Sequence, residues 1–287
     1  MVVILGFTGV LGKLISLETS YLVWYRMLIA WLALFLFLLL KNQLKKIKKE
    51  HVLPLLGIGA IVALHWIFFF EAIKVSNVSI AVICLSTSSL FSAFLEPIIF
   101  KRKLLKYEVF FGLVVLLALA YMLGGEDIFN GITSKYIEGY IYGILSAFLA
   151  TLFTLFNAKF LEKSDASQIT MIEMLGGTIL LSLFFVYSGD YTVITKAIIL
   201  TDIYYLLILG IICTALVFVW MVEIMRHITP YAVIMAVNLE PIYSILLALI
   251  IFQRSELMEA PFYIGASIIL FTVFLDGYIK NKQDKLN

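Results

Sequence analysis

Ten apolar stretches follow one another along this chain with little between them: residues 2–17, 21–40, 52–73, 77–99, 107–124, 138–160, 167–188, 203–225, 229–251 and 260–279. Each approaches the roughly 20 residues a helix needs to cross the hydrocarbon core of a bilayer. Lipid offers no partner to a backbone N–H or C=O, so the stretches are predicted to be helices that satisfy their own backbone. The composition agrees, at 63% apolar and 14% charged, where soluble domains average about 45–50% and about 25%. The breaks are short and carry turn or charge signals, as at Leu17-Glu18-Thr19-Ser20, Gly124-Gly125-Glu126-Asp127 and Ser164-Asp165-Ala166-Ser167. The first stretch is the shortest. It lacks the basic flank and small-residue cleavage site of a signal peptide and reads as a retained helix, with a true start upstream of Met1 left open.

The chain repeats itself. Ile98-Ile99-Phe100-Lys101-Arg102 returns as Ile250-Ile251-Phe252-Gln253-Arg254 at a spacing of 152, where Glu71 also falls on Glu223 and Lys74 on Arg226. Phe7-Thr8 and Lys13 fall on Phe153-Thr154 and Lys159 at a spacing of 146. One loop-sized length change reconciles the two. The predicted fold is an all-α membrane protein of ten transmembrane helices in two five-helix repeats, residues 1–134 and 135–287.

Charge placement sets the expected orientation. With a cytoplasmic amino terminus, inner segments hold fifteen Lys and Arg, many of them in the runs 41–49 and 101–106. Outer loops hold only Lys74, Lys135, Lys196 and Arg254. Basic residues favour the cytoplasmic side, so both termini are expected there, in the cytoplasmic membrane. Five spans per half is an odd number, so the second half is predicted to be inverted. Matching loops should then differ in charge, and they do. Lys41-Asn42-Gln43-Leu44-Lys45-Lys46 corresponds to Gly189-Asp190-Tyr191-Thr192, and Lys101-Arg102-Lys103 to the near-neutral Gln253-Arg254-Ser255-Glu256.

Several local patterns join this topology: Gly9-Val10-Leu11-Gly12-Lys13-Leu14, Trp24-Tyr25-Arg26, Glu71-Ala72-Ile73-Lys74, Leu239-Glu240-Pro241, and Pro241 followed by Glu256 and Gly265. In them the chain resembles the EamA-type carriers of the drug/metabolite transporter superfamily, over nearly its whole length. The first half departs from the pattern, with Ser89 opposite Pro241 and Leu104 opposite Glu256. The Leu95-Glu96-Pro97 triplet is eight residues out of register with Leu239-Glu240-Pro241. The resemblance implies export or exchange of small metabolites by alternating access, and leaves the metabolite open.

Charged groups inside a membrane are kept where they are paired, near an interface, or working. Lys13, Arg26 and Glu71 fall near the outer ends of spans one to three; Lys159, Glu173 and Glu223 fall near the inner ends of spans six to eight. They are read as two charge clusters that gate the access states, against the alternative that they snorkel to headgroups. Glu240 lies deeper, before Pro241, whose ring displaces a hydrogen bond to the Val237 carbonyl. A helix broken there presents Asn238 and Glu240 to a cavity, or is only a structural kink. His65 sits mid-span and suits proton handling or a substrate hydrogen bond, or is bonded within the core. Ser86 and Asn157 are further cavity candidates among hydroxyl-rich faces whose other use is close packing, as in Gly139-x-x-x-Gly143. Trp66 and Trp220 occupy near-equivalent repeat positions and are candidates for cavity walls or for lipid contact.

The function classes narrow accordingly. Three histidines far apart, with no HExxH or GxSxG pattern, argue against a membrane enzyme. A receptor or structural protein needs no odd-numbered inverted duplication. No nucleotide-binding loop is present, and two cysteines in apolar runs suggest no metal site. The basic run Lys45-Lys46-Ile47-Lys48-Lys49 suits lipid headgroups better than nucleic acid. The expected partners are a small-molecule substrate and the bilayer, without a cofactor; a homodimer stays open. The reading is a secondary transporter exporting a small amino-acid-like or related solute by alternating access. If protons are coupled, Glu240 or His65 is the expected carrier.

Overall fold

The computed structural model describes residues 1–122, 136–161, 164–190 and 198–284. The Gly124–Asp127 break, the 134/135 repeat boundary, Tyr191-Thr192 and Lys135, Lys163 and Lys196 lie outside the described residues. Among the described residues every regular element is helical. The helices are α1 (Val2–Leu14), α2 (Thr19–Leu40), α3 (Lys49–Val75), α4 (Val78–Cys84), α5 (Ser88–Phe100), α6 (Lys106–Met122), α7 (Ile137–Phe160) and α8 (Ala166–Ser188). They continue with α9 (Leu200–Leu207), a π-helical segment (Ile208–Leu216), α10 (Val217–Ile224), α11 (Pro230–Val237), α12 (Glu240–Phe252) and α13 (Ala260–Asp284). Seven helical runs are long and apolar enough to cross a membrane: 19–40, 49–75, 78–100, 137–160, 166–188, 200–224 and 230–256. Helices 2–14 and 260–275 are apolar but shorter.

Two of the long runs are broken in the middle, each for a local reason. Between α4 and α5 the backbone tightens to a 3₁₀ turn, where Thr87 Oγ1 donates to the Cys84 carbonyl (2.7 Å) and Ser89 Oγ to the Ser86 carbonyl (2.8 Å). Hydroxyls bonded to backbone carbonyls in this way compete with the regular ladder. Between α11 and α12 the cause is Pro241, which has no N–H to give Val237. The run through α9 and α10 carries the π segment instead. There Thr214 Oγ1 donates to the Leu209 carbonyl at 2.6 Å, five residues back. Such bulges recur at functional sites. Both α4 and α11 start from side-chain caps: Asn77 accepts from Ile80 N–H, and Thr229 from Ala232 N–H ahead of Pro230.

Helices associate in lipid through close packing rather than hydrophobic exclusion, and glycines mark the closest approaches. α3 crosses α8 at Gly59 and Gly176, where an added Cβ would lie 1.9 Å from the Glu173 carbonyl oxygen and 2.3 Å from that of Leu56. The Gly139-x-x-x-Gly143 face does serve packing, with Gly139 against Ser76 and Gly143 against Cys84. α1 lies along α12 through Gly6, whose carbonyl accepts from Ser244 Oγ at 3.0 Å. A Gly59→Leu substitution is expected to prevent assembly, because its clash is with backbone that cannot move aside. Detergent-solubilised G59L should elute as aggregate and show no cooperative melt, whereas Gly57→Leu, at a position open to space, should behave as wild type.

Candidate functional site

A cavity with an empty volume of about 680 Å³ lies inside the bundle, walled by side chains from α1, α2, α3, α5, α7, α10, α11 and α12. Most of its wall is apolar or aromatic: Leu5, Trp66, Phe69, Phe153, Phe218 and Met221. Few polar groups interrupt it, chiefly Arg26, His65, Glu240 and the hydroxyls of Thr8, Ser88 and Thr154. An apolar wall with sparse convergent polar groups is the usual make-up of a small-molecule site.

Arg26 is the largest fully buried side chain of the protein's described part. Its Nε donates to Thr214 Oγ1 at 2.6 Å, so the π segment supplies the anchor. Gly210 lets α2 come close enough, since a Cβ there would lie 3.2 Å from the Arg26 carbonyl oxygen. The guanidinium carbon lies 3.8 Å from the centre of the Trp66 ring and 5.7 Å from that of Phe70. Stacking of this kind stabilises a desolvated cation by about 2 kcal/mol or more. Nη1 has no hydrogen-bond partner among the described residues.

Glu240 is buried at the first turn of α12 and faces the same cavity. It lies within electrostatic reach of Arg26, yet among the described residues neither takes part in an ion pair. The cavity therefore presents a cation with an unused donor and a carboxylate, kept apart. His65 is held from one side. Its Nδ1 lies 2.9 Å from the Ser146 carbonyl oxygen, and Ser146 Oγ donates to the His65 carbonyl at 3.1 Å. Ser146 Oγ also lies 2.8 Å from Nδ1, so Ser146 can accept from this nitrogen through its carbonyl or donate to it through its hydroxyl, according to the tautomer. The ring also packs against Phe153, with centroids 5.4 Å apart.

The candidates from sequence are dispersed otherwise. His65, Trp66 and Glu240 line the cavity, and Arg26, read as an end-of-span gate charge, joins them. Asn238 stands one layer behind, its Oδ1 accepting from Ser88 Oγ at 3.3 Å. Ser86 is buried in the helix break and does not reach the wall. Asn157 is buried further along α7, where its Nδ2 donates to Glu173 Oε2 at 3.3 Å. Trp220 is 45% exposed and points away from the wall that Phe218, two residues earlier, helps to build.

The two expected charge clusters are not assembled. Lys159 is exposed, Glu223 pairs with Arg226 in its own turn, and Glu71 makes no ion pair among the described residues. Lys13 reaches Glu256 instead, at 2.7 Å. Glu256 is fully buried and also accepts from Val78 N–H (3.2 Å), Ser79 N–H (3.1 Å) and Ser79 Oγ (2.9 Å). One carboxylate thus joins α1, the start of α4 and the turn after α12. Thr214 and Phe218 in the site are not distinguished in the sequence from other residues of an apolar run.

The fold matches a solved structure, described only as a crystal structure of a protein, with a TM-score of 0.70 and 14% identity over 98% of this chain and 96% of that one. No curated protein sequence matches significantly. The family model of the EamA-like transporter family matches residues 1–124 and 137–276. With helices long and apolar enough to cross a membrane seven times, the protein is a multi-pass membrane protein, and it belongs to the EamA-like transporter family, within the drug/metabolite transporter superfamily.

Proposed function

We propose that the chain is a secondary carrier of small zwitterionic solutes of amino-acid type, working by alternating access across the cytoplasmic membrane. One observation carries the substrate class: Arg26 and Glu240 are buried in one cavity without pairing to each other. Burying two opposite charges apart is expensive, and a solute carrying both complementary charges relieves both. A carboxylate suits the guanidinium, which keeps a free donor at Nη1. An ammonium suits Glu240. The His65 ring and the aromatic wall then receive the side chain.

Alternating access through ten spans in two inverted halves is supported by the broken helices. The starts of α4 and α5, Val78 and Ser88, have the starts of α11 and α12, Pro230 and Glu240, at the repeat spacing of 152. Inverted repeats carry their substrate site between such discontinuous helices. The Lys13–Glu256 tie fits a closed outer end in this state. At the opposite end the counterparts are exposed Lys159 and exposed Leu104, which cannot form the same tie. That asymmetry favours loading from the cytoplasm and hence export. The basic residues 41–49 and 101–106 put the opposite end on the cytoplasmic side.

Counterflow in proteoliposomes tests the reading. Vesicles loaded with a neutral amino acid should take up its labelled form, and other zwitterions should compete. The matching monoamines and monocarboxylates, each lacking one charge, should compete at least ten-fold more weakly, since each leaves one buried charge unpaired. Equal competition by a monocarboxylate, or silence across the panel with folded protein, would sink the proposal.

A further inference from the structure

Glu173 has no part in the cavity, yet it is a fully buried acid about two turns into α8. Among the described residues its carboxyl has one hydrogen bond, from Asn157 Nδ2, 3.3 Å from Oε2. Glu173 Oε1, Asn157 Oδ1 and, one turn earlier on α8, Thr170 Oγ1 are buried without a partner among the described residues. Among the described residues, the elements packed on α8 bring no cation to the carboxyl. α3 meets it at Gly59, and the flanking ionisable groups of α3, His51 and His65, lie beside Glu50 and Ser146. α2 presents Met27 to Gly177, while Arg26 is turned into the cavity and Tyr21 bonds to Asp190. α10 offers Glu223, engaged with Arg226, and on α7 Lys159 is exposed. A carboxyl so placed cannot remain charged without a large desolvation cost, and the cation that cancels the charge at least volume is a proton.

Position adds a purpose. Thr154 and Asn157 on α7 and Leu161, which caps it in αR conformation, are three and four residues apart and share a face. Thr154 lines the central cavity. Leu161 lines a second, polar cavity of about 1160 Å³ empty volume, together with Lys46, Asp165, Gln168 and Arg226. Asn157 is the middle residue of that stripe, and Glu173 is bonded to it. The pair stands between the two voids.

We propose that Glu173, oriented by Asn157, is the proton-binding site through which transport is coupled to a proton gradient, in place of Glu240 or His65. A hydronium from one void gives its proton to Oε1, forming the O–H bond and leaving water. When the halves rearrange, that bond breaks to a water on the other side. Asn157 Nδ2 holds Oε2 throughout, and the carboxylate left after release stays charged until the next proton arrives. This rests on the reading of the chain as a carrier.

Two measurements separate the two claims. In purified full-length protein at neutral pH, the infrared carbonyl band of a protonated carboxyl should be present and should lose intensity in Glu173→Gln. An unchanged band overturns the proton site whether or not any solute is transported. In proteoliposomes, the ratio of uptake with an imposed pH gradient to uptake without one should exceed unity in wild type and fall to that of unenergised vesicles in E173Q. Retained stimulation in E173Q, or wild-type exchange indifferent to the gradient, overturns coupling here and leaves the carrier reading standing. Should E173Q fail to fold, Asn157→Leu serves. It removes the Asn157 donor to the carboxylate form, so the band should persist to higher pH than in wild type; an unmoved titration counts against the site.

Discussion

Replacing Arg26 with glutamine is expected to abolish transport while leaving the protein as stable as wild type, or more so. Removing one partner of a buried, hydrogen-bonded charge contact costs about 2–5 kcal/mol, so solute affinity should fall on the order of 100-fold. Stability moves the other way. The guanidinium is fully buried, with an unpartnered Nη1 and no ion pair among the described residues. Folding around such a group is costly, and glutamine removes that cost, which offsets the loss of the Thr214 anchor and the stack on Trp66. The contacts that seat the start of α2 do not involve it: Trp24 Nε1 donates to Ser182 Oγ at 2.8 Å, and Tyr21 bonds to Asp190. Arg26→Lys should recover little, because an ammonium cannot keep both the Thr214 anchor and the stack on Trp66 while reaching a carboxylate. Counterflow and thermal melting on the same preparations check this. Near-wild-type affinity in R26Q would remove Arg26 from the binding site; a large loss of stability would make it a structural group.

That outcome bears on what a membrane sequence discloses. Helicity was legible from the ten apolar stretches, each of which is mostly helical where described. So was the break at Pro241, because lost backbone bonds have a local cause. Helix rotation was not legible. In a soluble helix the polar stripe identifies the outward face, but here lipid-facing and core-facing sides are both apolar. Phe218 lines the cavity and Trp220 faces outward, two residues apart, with nothing in the surrounding residues to separate them. The same loss of phase hid that Arg26, about two turns into α2, is turned into the cavity. Glu256 shows a second limit. Its partners Lys13, Val78 and Ser79 lie more than 170 residues away, and the repeat offers no guide, since Leu104 stands in its place in the first half.

Neutralising Glu256 is expected to open the end of the bundle that Lys13 occupies. The carboxylate receives one ammonium, two backbone N–H groups and one hydroxyl. Its two oxygens draw together three elements that must part if substrate is to leave past them. Removing one member of a buried ion pair costs about 3–5 kcal/mol, and all of it falls on the state in which the tie is made. A two-state equilibrium displaced by that amount shifts by on the order of 100-fold or more, enough to invert the populations. Glu256→Gln keeps one acceptor oxygen and the volume, so helix α4 keeps a partial cap while Lys13 loses its counter-charge. The reporter is a cysteine at Leu5, on the cavity wall; native Cys84 and Cys213 are buried. An impermeant maleimide added on the Lys13 side should label it slowly in wild type and at least ten-fold faster in E256Q, with the reverse change from the other side. Asp165→Asn breaks the exposed Lys45–Asp165 pair at the opposite end and should change neither rate, because solvent-exposed pairs contribute about 0–1 kcal/mol. Identical labelling of wild type and E256Q from both sides would mean that the tie is a helix cap and no gate.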